Sequence, residues 1–190
     1  MSSKYSLWLC PPTTSTTHSV LDAAIAKLSL SLGTPRFAPH VTLFSPIMAS
    51  SDAEALEQTS AFVGQLRQQN KDGAMGISVD IGDLATGSTF YQCVFLECPG
   101  SPELFKANSI ARQHWRIESQ PQFRPHISLV YNNCPTDKLA KMKAQVRAAL
   151  PADMPMLSFV ATDIYVVKTA GPLSQWSCAG TVSISSKEDN

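Results

Sequence analysis

Two histidines in this chain sit in closely matching strings. Arg36-Phe37-Ala38-Pro39-His40-Val41-Thr42-Leu43-Phe44 and Gln122-Phe123-Arg124-Pro125-His126-Ile127-Ser128-Leu129-Val130 share Phe-x-Pro-His, then a β-branched residue, a hydroxyl, Leu and an apolar residue, 86 positions apart. In a strand, residues two apart project to one side. His40 and Thr42 therefore share a face, as do His126 and Ser128, while Val41, Leu43, Ile127 and Leu129 belong to the core. One such pair reads as solvated surface; two inside the same longer string read as a site. Paired imidazoles and hydroxyls with no carboxylate motif beside them suit in-line attack on phosphorus. A neutral imidazole takes a proton from water while a protonated one opposite gives a proton to the leaving oxygen. Thr42 and Ser128 would donate to the non-bridging oxygens, where charge concentrates.

The elements around the strings repeat as well. A strand at Tyr5–Cys10 precedes a helix near 17–32 with Leu21, Ile25, Leu28 and Leu32 on its apolar face, stopped by Gly33 and Pro35. A strand at Phe90–Leu96 precedes a helix capped by Ser101, with Pro102 in its first turn and Leu104, Ala107, Ala111 and Trp115 on one face. After the first string, Ser51 and Glu54 have capping-box spacing and open a helix through Leu56, Thr59, Phe62, Val63 and Leu66. After the second, Thr136 is placed to cap a helix with Leu139, Met142, Val146 and Leu150 inward. Each half ends in a strand, Ile77–Ile81 and Ile164–Val167. The expectation is an α+β fold in which residues 1–184 form one bilobal unit. Its repeats run roughly 4–86 and 90–170, with a closing strand at 175–184 and a disordered tail at 185–190. The two pseudo-symmetric lobes, each an antiparallel sheet backed by helices, would bring the motif strands face to face across a cleft.

Bulk properties narrow the partners. A zero net charge over 190 residues argues against a broad electrostatic grip on long nucleic acid, though not against a small anion held by aimed donors. No run reaches membrane-spanning length and no signal peptide is visible, so the expectation is a cytoplasmic protein that engages no membrane, with an endomembrane location as the alternative. Five cysteines, an odd number scattered mostly in apolar runs, read as reduced thiols, with a redox-dependent disulfide as the alternative. No Cys or His cluster has zinc spacing, and neither metal nor cofactor is expected.

At these residues the chain resembles the 2H phosphoesterase superfamily, named for two His-x-Thr/Ser motifs, and within it the cyclic phosphodiesterases of fungi and plants. Further similar stretches are Leu7-Trp8-Leu9-Cys10-Pro11-Pro12, Phe90-Tyr91-Gln92-Cys93-Val94-Phe95-Leu96 and Pro125-His126-Ile127-Ser128-Leu129-Val130-Tyr131. The resemblance implies a metal-independent hydrolase that opens ADP-ribose 1″,2″-cyclic phosphate, a by-product of tRNA splicing, and nucleoside 2′,3′-cyclic phosphates. Its catalytic positions fall on His40, Thr42, His126 and Ser128. It also places Tyr131 near the phosphate, although strand parity turns Tyr131 away from His126 unless the strand ends or bulges there. Trp8 is read either as packing or as a nucleotide-stacking wall. Arg36 and Arg124 either serve a diphosphate or pair on the surface; His18 and His114 are read as surface or packing residues, Tyr165 and Trp176 as core. The expected partner is a small cyclic-phosphate nucleotide met by a monomer. Two other readings remain, an RNA-end processing enzyme of the same superfamily and a non-catalytic nucleotide-binding module.

Overall fold

A computed structural model describes residues 2–69, 76–117, 121–151 and 157–185. The elements run β1 (Ser3–Leu9), α1 (Thr16–Leu32), β2 (Val41–Ala49), α2 (Asp52–Gln69), β3 (Ile77–Asp80), β4 (Leu84–Thr86), β5 (Val94–Glu97), α3 (Pro102–His114), β6 (His126–Val130), α4 (Thr136–Ala149), β7 (Ser158–Ala161), β8 (Asp163–Lys168) and β9 (Ser177–Ser183). Local chemistry accounts for most boundaries. Ser15 caps α1 by accepting from the His18 N–H, and Gly33 ends it at φ 63°, a conformation that costs glycine little. Ser101 caps α3 by accepting from the Leu104 N–H. At α2 the Ser51 hydroxyl accepts from the Glu54 N–H, while the Glu54 carboxylate reaches back to the N–H of Ser50.

Two local expectations are corrected. Phe90–Leu96 is not strand throughout: Phe90–Gln92 is a turn of 3-10 helix, and β5 begins at Val94. The carbonyls of Phe90 and Tyr91 are taken by the Asn132 N–H and the Ser128 hydroxyl. Thr136 is not a cap but the first residue of α4. Pro135 holds the cap position with no side-chain bond to the helix. Of the expected tail, residues 186–190 lie outside the described residues.

Seven strands form one sheet in the order β4-β5-β6-β2-β1-β8-β9, and every described neighbour pair is antiparallel. Strands β3 and β7 pair separately. The order is symmetric about the β6/β2 junction, with β5 matching β1 and β4 matching β8. The motif strands are thus not opposed across a gap but lie side by side, meeting at Val41–Ile127. The repeats also interlock. Strand β4, from the first, adds to β5 of the second, while β8 of the second adds to β1 of the first. Helix α1 lies against β6 and α3 against β2. Between this helix layer and the sheet sit Val41, Leu43, Ile127 and Leu129, all at most 1% exposed. The opposite face at the junction is left for the polar side chains.

Candidate active site

Continuing the antiparallel register outward from Val41–Ile127 sets His40 opposite Ser128 and Thr42 opposite His126. The four side chains form a quartet at the junction of the two motif strands. The histidines lie on its diagonal, where neighbouring strands hold residues about 7–8 Å apart. All four line one open cavity of ≈430 Å³. An aromatic residue from the next strand flanks each imidazole. Trp8, paired with Thr42, stacks on His40 at 3.5 Å and 8°. Phe95, paired with Ser128, meets the His126 ring edge-on at 5.1 Å. Both rings are thereby held in position.

Tyr131 joins the quartet because the strand bulges. On the β5–β6 ladder Phe95 pairs with Ser128 but Val94 pairs with Val130, so Leu129 is an extra residue. A bulge resets side-chain parity beyond it, and Tyr131 comes round to the cavity face. The other repeat does the same. Leu7 pairs with Phe44 and Trp8 with Thr42, which makes Leu43 the extra residue and turns Ser45 into the cavity. Ser45 was not anticipated. Its sequence signal is its place 86 residues before Tyr131, which becomes readable only once both bulges are known. The carbonyl of the bulged Leu43 accepts from Asn108 Nδ2 of α3 at 2.7 Å, in a buried contact.

The protonation of the pair follows from its bonds. His40 Nδ1 lies 2.7 Å from the Ala38 carbonyl and His126 Nδ1 2.8 Å from that of Arg124. A carbonyl only accepts, so each Nδ1 carries hydrogen and each Nε2 is the atom that exchanges a proton. Burial pushes His40 down to about 4 from its usual 6.5; the bond to Ala38 opposes this and the His126 charge adds to it. His126 is also lowered, by burial first and then by the charge of Arg124, against the pull of its bond to the Arg124 carbonyl. Burial raises the Tyr131 phenol well above its ordinary value, so it stays protonated and able to donate. The Ser128 hydroxyl donates to the Tyr91 carbonyl at 2.7 Å.

Other candidates are placed as follows. Trp8, 7% exposed, is both packed and a wall of the cavity, and its indole N–H donates to Ser6. Arg36 pairs with Asp22 at 2.8 Å and stands outside this cavity. Arg124 pairs with Glu97, over the Phe95 ring, also outside it. His114 bonds Gln65 and packs near Phe62, as expected. Trp176 and Tyr165 are not core: both are part-exposed, and Trp176 lines the cavity between Trp8 and Tyr91. Lys4 brings a cation to the rim. Among the described residues no group of three His, Cys, Asp or Glu is placed to hold a metal ion, and no helix is long and apolar enough to cross a membrane.

A symmetric sheet junction with an imidazole and a hydroxyl from each repeat is the arrangement of the 2H phosphoesterases. The same fold is found in Escherichia coli LigT complexed with ATP, with a TM-score of 0.61 at 14% identity over 97% of this chain and 99% of that one. It recurs in Kluyveromyces marxianus Usb1, with a TM-score of 0.52 at 14% identity over 97% and 98%. A family model described as "Cyclic phosphodiesterase-like protein" matches residues 1–184, and the chain belongs to that family of hydrolases. It is 26% identical to a cyclic phosphodiesterase of Arabidopsis thaliana over 167 residues, covering 87% of this chain and 84% of the relative. It is likewise 26% identical to a 2′,3′-cyclic-nucleotide 3′-phosphodiesterase of Phaeosphaeria nodorum over 191 residues, covering 90% and 94%.

Proposed function

We propose that the chain hydrolyses small cyclic phosphates. Nucleoside 2′,3′-cyclic phosphates would give nucleoside 2′-phosphates, and ADP-ribose 1″,2″-cyclic phosphate would give ADP-ribose 1″-phosphate, a step in disposing of tRNA-splicing by-products. The enzyme would act in the cytoplasm as a monomer and without a cofactor. The observation that carries this reading is the diagonal pair of imidazoles, each tied at Nδ1 to a backbone carbonyl and each with Nε2 left for proton exchange.

Water attacks phosphorus as one neutral Nε2 takes its proton, forming the new P–O bond. The ring P–O bond opposite breaks, and the protonated Nε2 of the second histidine gives its proton to the departing ribose oxygen. Burial depresses His40 further than His126, so in the singly protonated cleft the proton rests on His126. A substrate seated with its leaving oxygen towards His126 meets the pair already in the required form. Thr42, Ser128, Tyr131 and Lys4 surround the phosphoryl oxygens, the Ser128 proton turning from the Tyr91 carbonyl to the ligand. A cavity of ≈430 Å³ suits a nucleotide better than an oligonucleotide end, and the chain's zero net charge supports the same preference.

Incubation with 2′,3′-cyclic AMP in excess EDTA, followed by ³¹P NMR, should show conversion to the 2′-monoester. His40→Ala and His126→Ala should each lower kcat by about 10²–10⁴-fold, the worth of a positioned proton transfer. No turnover, or turnover abolished by EDTA, would overturn the reading.

A further inference from the structure

None of the five cysteines lines the quartet's cavity, but two of them meet beside the turn that carries Tyr91. Cys93 follows directly on the Phe90–Gln92 turn and is 1% exposed. Cys134 stands in the loop after β6, shortly beyond Tyr131, and is part-exposed. The Cys93 thiol hydrogen-bonds to the Cys134 thiol and accepts from the Cys134 N–H. Its sulfur also lies 3.5 Å from the Met142 thioether of α4. The backbone keeps the two segments together: Val94 pairs with Val130, and the Asn132 N–H donates to the Phe90 carbonyl at 3.0 Å. Cys134 further lines an open cavity of ≈370 Å³ with Lys138 and Lys141, and so can be reached from outside.

We propose that Cys93 and Cys134 are a reversible redox pair, which a small-molecule disulfide oxidises to a bridge that pins the Tyr91 turn against the loop after β6. Cys134, reached from the open cavity, reacts first. Its thiolate attacks one sulfur of the small disulfide; a new S–S bond forms as the old one breaks, and one thiol is released. Cys93 then gives up its proton and attacks Cys134 Sγ, expelling the second thiol. The two cysteines lose two electrons and two protons in all, and the small disulfide gains them. Burial raises the Cys93 thiol, and the charge of Cys134 adds to this, which suits Cys93 to the second, intramolecular step. Lys138 and Lys141 suit an oxidant that carries carboxylates. The bridge bears on the active site because Tyr91 and Gln92 line the quartet's cavity and the Tyr91 carbonyl accepts from Ser128. A turn free to shift lets that hydroxyl go to a ligand; a pinned one holds it back. Only this last link rests on the hydrolase reading.

The test oxidises the full chain with oxidised glutathione and follows intact mass, a non-reducing peptide map, Tm and turnover of 2′,3′-cyclic AMP. The mass should fall by two hydrogens, with one new cross-linked peptide joining Cys93 to Cys134. The closed loop should raise Tm by about 5–15 °C. Turnover should drop at least threefold in kcat, and excess reduced glutathione should reverse all three changes. Cys134→Ser should leave kcat of the reduced protein within twofold and abolish the bridge and the response to oxidation. Pairing of other cysteines, glutathione left standing on Cys134, or oxygen added at Met142 as the only product would overturn the proposal. Full bridging with unaltered kcat would overturn its link to the cavity. If the reduced protein hydrolyses no cyclic phosphate, the hydrolase reading fails, while mass, peptide map and Tm still decide the bridge.

Discussion

A hydroxyl that serves a phosphate must have a proton to give, and the two hydroxyls of the quartet differ in this. Ser128 already donates to the Tyr91 carbonyl, so turning to a ligand costs that bond. Thr42 should therefore supply more of the transition-state stabilisation. Thr42→Val is expected to lower kcat by about 10²–10³-fold, as loss of an aimed donor does, and Ser128→Ala by only about tenfold, with KM little changed in steady-state kinetics. Equal losses would show that the Tyr91 bond does not restrain Ser128. The imidazoles set the pH dependence. Activity needs one neutral and one protonated ring, so kcat/KM rises as the lower macroscopic pKa is passed and falls above the higher. With His40 near 4 and His126 also depressed, the bell should peak on the acid side of 6.5. A maximum above pH 7 in the kcat/KM profile would contradict the burial of both rings. The quartet itself was legible because it is written twice. Trp176 was not, since an aromatic beside a late strand reads as core until its neighbours are known.

At the scale of elements, the site depends on two bulges that no local pattern announces. The strings around Leu43 and Leu129 read as regular strand, and regular strand would turn Ser45 and Tyr131 into the core. The bulges belong to pairing, and pairing partners lie on other strands. The same long-range cause hid Asn108. It falls on the apolar face of α3 that Leu104, Ala107, Ala111 and Trp115 define, where helical periodicity leaves no reason for an amide. Its reason is the Leu43 carbonyl, freed from the ladder by the bulge and bonded at 2.7 Å. A buried acceptor left alone costs about 1–3 kcal/mol. Asn108→Leu, which keeps the volume and removes the donor, should lower stability by that amount in urea unfolding. It should also reduce kcat, because the bulge that aims Ser45 loses its anchor. Undiminished stability would mean that water or another donor takes the carbonyl. The 3-10 turn at Phe90–Gln92 was missed for a related reason: its aromatic composition favours strand, but β6 and the loop beyond it claim its carbonyls.

At the scale of the molecule, the duplication visible in the sequence does not produce two separable lobes. Each repeat sends its last strand to the other's half of the sheet and its first helix under the other's motif strand. This exchange holds the quartet in register, because β2 cannot shift against β6 without dragging α1 and α3 with it. It also means that neither repeat has a complete core. In residues 1–87 alone, β1 would lose β8 from one edge, although Leu7 and Leu9 on it are fully buried in the whole chain. Helix α1 would have no β6 to cover, exposing Leu21, Ile25 and Leu28, which are at most 2% exposed. Exposing a large buried aliphatic side chain costs about 1.5–3 kcal/mol, and a few of these exceed the margin by which domains of this size are stable. Fragments 1–87 and 88–190 should therefore each give the circular dichroism of an unfolded chain, and mixing them should restore helix and sheet signal together with hydrolysis of 2′,3′-cyclic AMP. Cooperative unfolding of either fragment by itself would show that the repeats are independent, and that the shared sheet is a docking of two finished halves rather than the source of their stability.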